Sequence, residues 1–153
     1  MKTAIIIYSN TGNTRRAAQK LLEKLKSTGA EAEIREIQVS NAKPEGDMSR
    51  VQLTQTPSVE GFDRLVFASP VWAFSLSGVM KKYLSQLPKL TGNKISLFVT
   101  HQLPLPWMGG NRAIRQMKSI CEEKGGDVVS TAVIFANDAR RERDTADMLR
   151  RLA

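Results

Sequence analysis

The stretch TAIIIYSNTGNTRRAAQKLLEKL, residues 3–25, decides the reading of the fold. Thr3 to Tyr8 is a short, strongly apolar run, the pattern of a strand covered on both faces. Polar turn residues follow at once. Beyond them Ala17, Leu21, Leu22 and Leu25 recur at helical spacing, so a buried strand feeds directly through a tight turn into an amphipathic helix.

The same unit recurs along the chain. Arg64 to Ala68, Ile95 to Thr100 and Val128 to Phe135 read as further buried strands. Val79, Met80, Tyr83, Leu84 and Leu87 mark a second helix. Ile114, Met117, Ile120 and Cys121 mark a third, and Ala146, Leu149 and Leu152 a last one. Gly29 and the pair Gly125, Gly126 fall where helix C-terminal caps belong, and Asp138 is placed to cap the final helix. Ala32 to Ile37 alternates in polarity and reads as a sheet edge. Right-handed βαβ crossovers with the second strand at an edge lead to an α/β fold of three layers: a doubly wound, five-stranded parallel sheet of order 2-1-3-4-5. Gln38 to Gly61 is polar, holds Pro44, Gly46 and Pro57, and reads as a loop with a short helix around Asp47 to Leu53.

With 153 residues, 41% hydrophobic and 25% charged, the chain suits one globular domain spanning residues 1–153. It carries no repeat and no low-complexity tract. No run approaches the ~20 apolar residues of a membrane span, and the N-terminal apolar run is too short for a signal peptide. A cytoplasmic protein is expected. One cysteine, Cys121, and one histidine, His101, cannot form an internal disulfide or a metal cluster. Any redox chemistry must then come from a bound cofactor. Cys121, on the apolar side of its helix, reads as an inert core residue. The net charge of +8 and pI of about 9.9 suit an anionic ligand or an acidic partner. The arginines of the last helix are interspersed with acids and read as a solvated face, and the lack of an aromatic-basic pattern argues against nucleic-acid binding.

In an open parallel sheet, ligands settle beyond the carboxyl ends of the strands, where the chain order reverses. Three loops converge there: Ser9 to Thr14, Ser69 to Ser77, and His101 to Gly110. In the first, Ser9, Asn10, Thr11, Gly12, Asn13 and Thr14 offer hydroxyls, amides and backbone N–H groups at a helix N-terminus, a neutral cradle for one phosphate. Gly12 lets the backbone turn closely around the anion. There is neither the GxxxxGK[ST] spacing of a triphosphatase loop nor the GxGxxG of dinucleotide binders. The same residues also suit an ordinary capped polar turn. The second loop brings Trp72 and Phe74 to a cleft edge, where aromatics can stack on a flat π-system or pack under the next helix. Packing is the expected fate of Phe74. The third loop is apolar enough to cover a ligand. A phospho-accepting receiver is disfavoured, because no acidic cluster follows the first strand.

SNTGNT after the first strand and ASPVWAFSLSGVMKKYL after the third resemble the flavodoxins and flavodoxin-like FMN proteins over nearly the whole chain. The first loop matches their [ST]-x-T-G-x-T phosphate signature. The resemblance implies FMN, with its phosphate on Ser9 to Thr14 and its isoalloxazine against the backbone of Ser69, Pro70, Val71, Trp72 and Ala73. In the third loop electron-transfer flavodoxins carry a tyrosine and acidic residues. Here stand His101, two prolines, Trp107, Gly109 and Gly110. Trp107 is the candidate for stacking on the flavin or else packs on its own loop. His101 could hydrogen-bond flavin or substrate, although a lone histidine at a strand end is more often structural.

The basic balance also departs from acidic flavodoxins. Positive surroundings favour an anionic reduced flavin, and ~59 mV is a tenfold change for one electron. The final reduction step is expected at a less negative potential than in acidic relatives, which spectroelectrochemical titration measures. The resemblance implies an electron carrier serving a redox partner protein with an acidic docking surface; the alternatives are an NAD(P)H-dependent FMN-containing quinone or flavin reductase and, since fold does not fix function, a flavin-free interaction domain on the same scaffold.

Overall fold

The computed structural model describes residues 2–40, 51–102, 109–137 and 139–153. Its elements are β1 (Lys2–Ile7), α1 (Asn13–Ser27), β2 (Glu31–Glu36), β3 (Gln38–Ser40), β4 (Gln52–Gln55), β5 (Arg64–Trp72), β6 (Ser75–Leu76), α2 (Gly78–Gln86), β7 (Lys94–His101), α3 (Gly110–Glu123), β8 (Asp127–Phe135) and α4 (Arg140–Leu152). The parallel strands run in the order β2-β1-β5-β7-β8. Counted among themselves, they give the expected 2-1-3-4-5. β2 is the edge, as its alternating polarity requires.

The period of two along each strand divides the core between two helical layers. Ala4, Ile6, Leu65, Phe67, Leu97 and Val99 point to the side covered by Met80, Tyr83 and Leu84 of α2 and Met117 and Cys121 of α3. Ile5, Ile7, Val66, Ala68 and Phe98 point the other way, onto Ala18, Leu21 and Leu25 of α1 and Met148 and Leu152 of α4. Each fully buried Leu, Ile or Phe contributes roughly 1.5–3 kcal/mol. That sandwiching is why the central strands are apolar without alternation.

Gly29 (φ 86°) and Gly125 (φ 87°) sit just past the ends of α1 and α3, in the left-handed conformation expected there. Asp138 lies outside the described residues. The α4 face differs from its expected composition: Thr145, Met148 and Leu152 are buried, whereas Ala146 is exposed and Leu149 half-buried. The stretch expected as a loop with a helix instead holds an antiparallel pair, with Val39 opposite Leu53 and Ser40 opposite Gln52. Leu53 is thus a strand residue, while 47–50 lie outside the described part. Tertiary anchors hold this ribbon: Lys82 Nζ donates to the Val51 carbonyl at 2.6 Å, and the Tyr83 hydroxyl to the Pro57 carbonyl at 2.5 Å.

Candidate functional site

β1 ends at Ile7, and the chain turns into α1 through Gly12, whose φ of 93° is a left-handed conformation. Gly12 is the N-cap of α1 and supplies no side-chain cap, and the first turn holds no acidic residue. Ser9 Oγ accepts from the Arg15 N–H at 3.3 Å. A helix start of this kind, unneutralised and with a backbone free of Cβ at its closest point, suits an anion of phosphate size. Thr14 behaves differently from its neighbours: its buried hydroxyl shares a hydrogen bond of 2.9 Å with Thr100. The first loop is thereby fastened to the end of β7.

Two arginines follow the loop. Arg15 is committed elsewhere, because its Nε and Nη2 donate to Glu36 Oε1 at 3.0 and 2.7 Å. That hydrogen bond, with the carboxylate charge, raises its pKa. Arg16 donates from Nη2 to Asn13 Oδ1, and its Nη1 stands 3.2 Å from where a Cβ on Gly12 would lie. The surroundings of the loop are therefore not purely neutral, as the loop residues alone suggested. Arg16 was missed because it follows the loop rather than belonging to it. Its signal was an arginine in a helix's first turn, where the macrodipole disfavours cations.

The second loop is less open than expected. β5 continues through Trp72, reverses at Ala73 and Phe74, and returns as β6, with Val71 opposite Leu76 and Trp72 opposite Ser75. Ala73 (φ 48°) and Phe74 (φ 63°) both adopt left-handed backbone, which suits a two-residue hairpin turn but is unusual for non-glycine residues. Phe74 is 54% exposed, contrary to the packing expected of it. Trp72 takes the inward place, with its ring at 5.4 Å and 88° to Tyr8. Burial pushes the Tyr8 phenol upward. Ser69, fully buried, donates to the Pro70 carbonyl at 3.0 Å and shares a bond of 2.8 Å with Ser77 Oγ. Its side chain braces the hairpin.

Two contacts hold this turn in place. Gln116 Oε1 of α3 accepts from Ser75 Oγ at 2.8 Å and from the Leu76 N–H at 2.9 Å. Gly109 (φ 118°) passes so close that a Cβ there would lie 2.6 Å from Phe74 Cα and 2.7 Å from Val71 Cγ1. The second and third loops thus meet backbone against backbone. Trp107 lies outside the described residues. His101 is 3% exposed and packs against Phe135 at a centroid distance of 5.4 Å, while its carbonyl accepts from the Ala136 N–H at 2.8 Å. The structure places it in the β7–β8 packing.

Beside Asn13 and Arg16, a cavity of about 120 Å³ opens between α1 and α4, lined also by Lys20, Thr100, Arg141 and Glu142. Cys121 is wholly buried, and burial pushes its thiol up to about 12. Among the described residues no cluster of His, Cys, Asp or Glu could hold a metal ion, and no helix is long and apolar enough to cross a membrane.

A parallel sheet of order 2-1-3-4-5 between two helical layers, with the strand-helix turn at Gly12 and the Ala73–Phe74 hairpin above its switch point, defines a flavodoxin-like α/β protein. The sequence profile of the NADPH-dependent FMN reductases matches residues 1–140, and the chain belongs to that family. No curated protein matches it by sequence. Among solved structures, the Trp repressor binding protein from Bacillus subtilis superposes with a TM-score of 0.71 at 17% identity, covering 99% of this chain and 100% of that one. Flavodoxin 1 from Bacillus cereus gives 0.66 at 19%, covering 100% of both chains. Flavodoxin 2 from the same organism gives 0.67 at 15%, covering 97% and 95%. At these identities they speak for the fold. Family membership replaces the flavin-free interaction domain with a flavin-binding redox protein.

Proposed function

We propose that the chain is an NAD(P)H-dependent reductase that uses FMN to pass electrons to a small acceptor, a quinone or a free flavin. The observation that supports it is the reductase-family match, which runs through all three loops above the sheet. Bound FMN would supply the chemistry itself, taking up a hydride and giving up electrons singly or in pairs.

What the chain supplies is position and field. The N–H groups at the start of α1, with Ser9, Asn10, Thr11 and Asn13, would take the phosphate. The backbone of Ser69 to Ala73 would lie along the isoalloxazine. No residue of that hairpin titrates, so it would act on the flavin through peptide dipoles and shape. Gln116 and Gly109 hold the hairpin still, which reduces the reorganisation that each change of charge demands. Phe74, presented outward from the same turn, offers an apolar face for an incoming ring. The net charge of +8 suits a phosphorylated nicotinamide.

The second reading is a carrier that docks on an acidic redox partner through this basic surface with Phe74 at the contact. Purified protein loaded with FMN and mixed with NADPH or NADH, with a quinone or free flavin present, separates the two. Rapid, acceptor-dependent oxidation of the nicotinamide is expected. Negligible oxidation, together with full reduction by an electron-transferring protein, would overturn the reductase in favour of the carrier.

A further inference from the structure

Arg16 breaks a local rule at the point where the site requires positive charge. It stands in the first turn of α1, where the helix already presents the positive end of its dipole. No carboxylate lies in ion-pair reach of it among the described residues, and its hydrogen-bond partner there is the neutral amide of Asn13. The contrast with Arg15 is direct, since Arg15 is held by Glu36. Glu142 lines the neighbouring groove without pairing to Arg16, and two further cations, Lys20 and Arg141, line it too. The guanidinium is exposed, has open space beside it, and already reaches back over Gly12.

We infer that Arg16 is a phosphate ligand. When FMN enters, its guanidinium turns from Asn13 Oδ1 to the phosphate oxygens, so a forked cation closes a cradle otherwise made of neutral donors. A flavin phosphate bears close to two negative charges at neutral pH. Backbone N–H groups stabilise them only partly, and the paired guanidinium gains most where water is thinnest. Arg16 thereby makes the site select phosphorylated flavin over riboflavin. The inference rests on the reading of residues 9–14 as the phosphate cradle. It goes beyond that reading by assigning charge compensation to a residue outside the loop.

The test is a set of dissociation constants for FMN and for riboflavin, measured by flavin fluorescence over a range of salt concentrations. Arg16→Ala is expected to weaken FMN by about 10- to 100-fold, the range for a lost charge-assisted hydrogen bond. Riboflavin should change less than twofold. The dependence of FMN affinity on salt should flatten in the same variant, and Arg16→Lys should recover part of the loss. Lys20→Ala, one turn further along α1, should cost less than about threefold, as expected of a screened charge.

An FMN constant that stays within twofold of wild type in Arg16→Ala would overturn the inference. So would equal weakening of FMN and riboflavin, which would mean that Arg16 only props the loop. If Arg16→Ala fails to fold, Arg16→Gln keeps part of the stem and a neutral donor in place of the charge, and carries the same comparison. Wild-type protein that binds riboflavin as tightly as FMN would instead bring down the cradle reading itself, a distinct result.

Discussion

Ser9–Thr14 and Ser69–Ser77 both lead from a buried parallel strand into a helix, yet the first turns at a glycine with φ 93° while the second turns at an alanine and a phenylalanine with φ 48° and 63°. In the first, the residue types themselves permit the conformation, and the helix start leaves its N–H groups without a side-chain cap. In the second, the residue types resist it. Gln116, reaching across from α3, and Gly109, pressed against the turn, impose it from outside. A loop set by its own sequence can keep its shape through many neighbouring changes. A loop set by its neighbours is shaped, and so tuned, from a distance.

Gly109→Ala should show the largest effect. A Cβ at 2.6 Å from Phe74 Cα, on a residue with φ 118°, should cost about 2–5 kcal/mol through combined overpacking and backbone strain. Chemical denaturation gives the loss, and a change below about 1 kcal/mol would mean that the two loops are not interlocked. Gln116→Ala comes next. It leaves the Leu76 N–H and the Ser75 hydroxyl without their acceptor, for a loss of about 1–3 kcal/mol. FMN absorbance should shift in that variant, because the hairpin would relax along the flavin.

Gly12→Ala should cost about 1 kcal/mol in stability from its left-handed backbone. The Arg16 side chain can yield to the new methyl, so FMN affinity rather than stability should register the larger loss. Ala73→Gly reverses the sign. Removing a Cβ from a left-handed residue should gain up to about 1 kcal/mol, and a destabilised variant would show that the turn is not held under strain.

At neutral pH the last comparison is silent. The folded chain keeps the Cys121 thiol protonated up to about 12, whereas an unfolded thiol ionises near 9.0. The resulting stabilisation is complete below 9 and is lost as pH rises towards 12. The raised Tyr83 phenol adds to the same alkaline loss. Melting temperatures against pH should therefore fall less steeply in Cys121→Ala. Gln116→Ala should keep the wild-type slope if it frees the hairpin without opening α3.

Much of this was legible in the residues. Unbroken apolar runs marked the central strands because both of their faces are covered, and Ala32 to Ile37 announced an edge by its alternation. The turn from β1 into α1 was legible because glycine, hydroxyl and amide residues act locally. The ribbon of Gln38–Ser40 and Gln52–Gln55 was not, because such short polar strands carry no usable period. Contacts of Lys82 and Tyr83, distant in sequence, hold the segment in place. The fate of Phe74 was hidden for the same reason. Its side chain is apolar, but its direction follows from a turn that Gln116 and Gly109 enforce. Arg16 was visible in the sequence, but its proximity to Gly12 depends on a rotamer.

The deep placement of Cys121 also shapes how the protein can be handled. With its one sulfhydryl sealed inside α3, oxidation and reduction can be cycled in the absence of dithiothreitol, which would itself donate electrons and confuse the assay. A cysteine placed by mutation at an exposed position, such as Phe74, would then be the sole target for a maleimide dye. Such a label would report directly on the hairpin turn at Ala73 and Phe74.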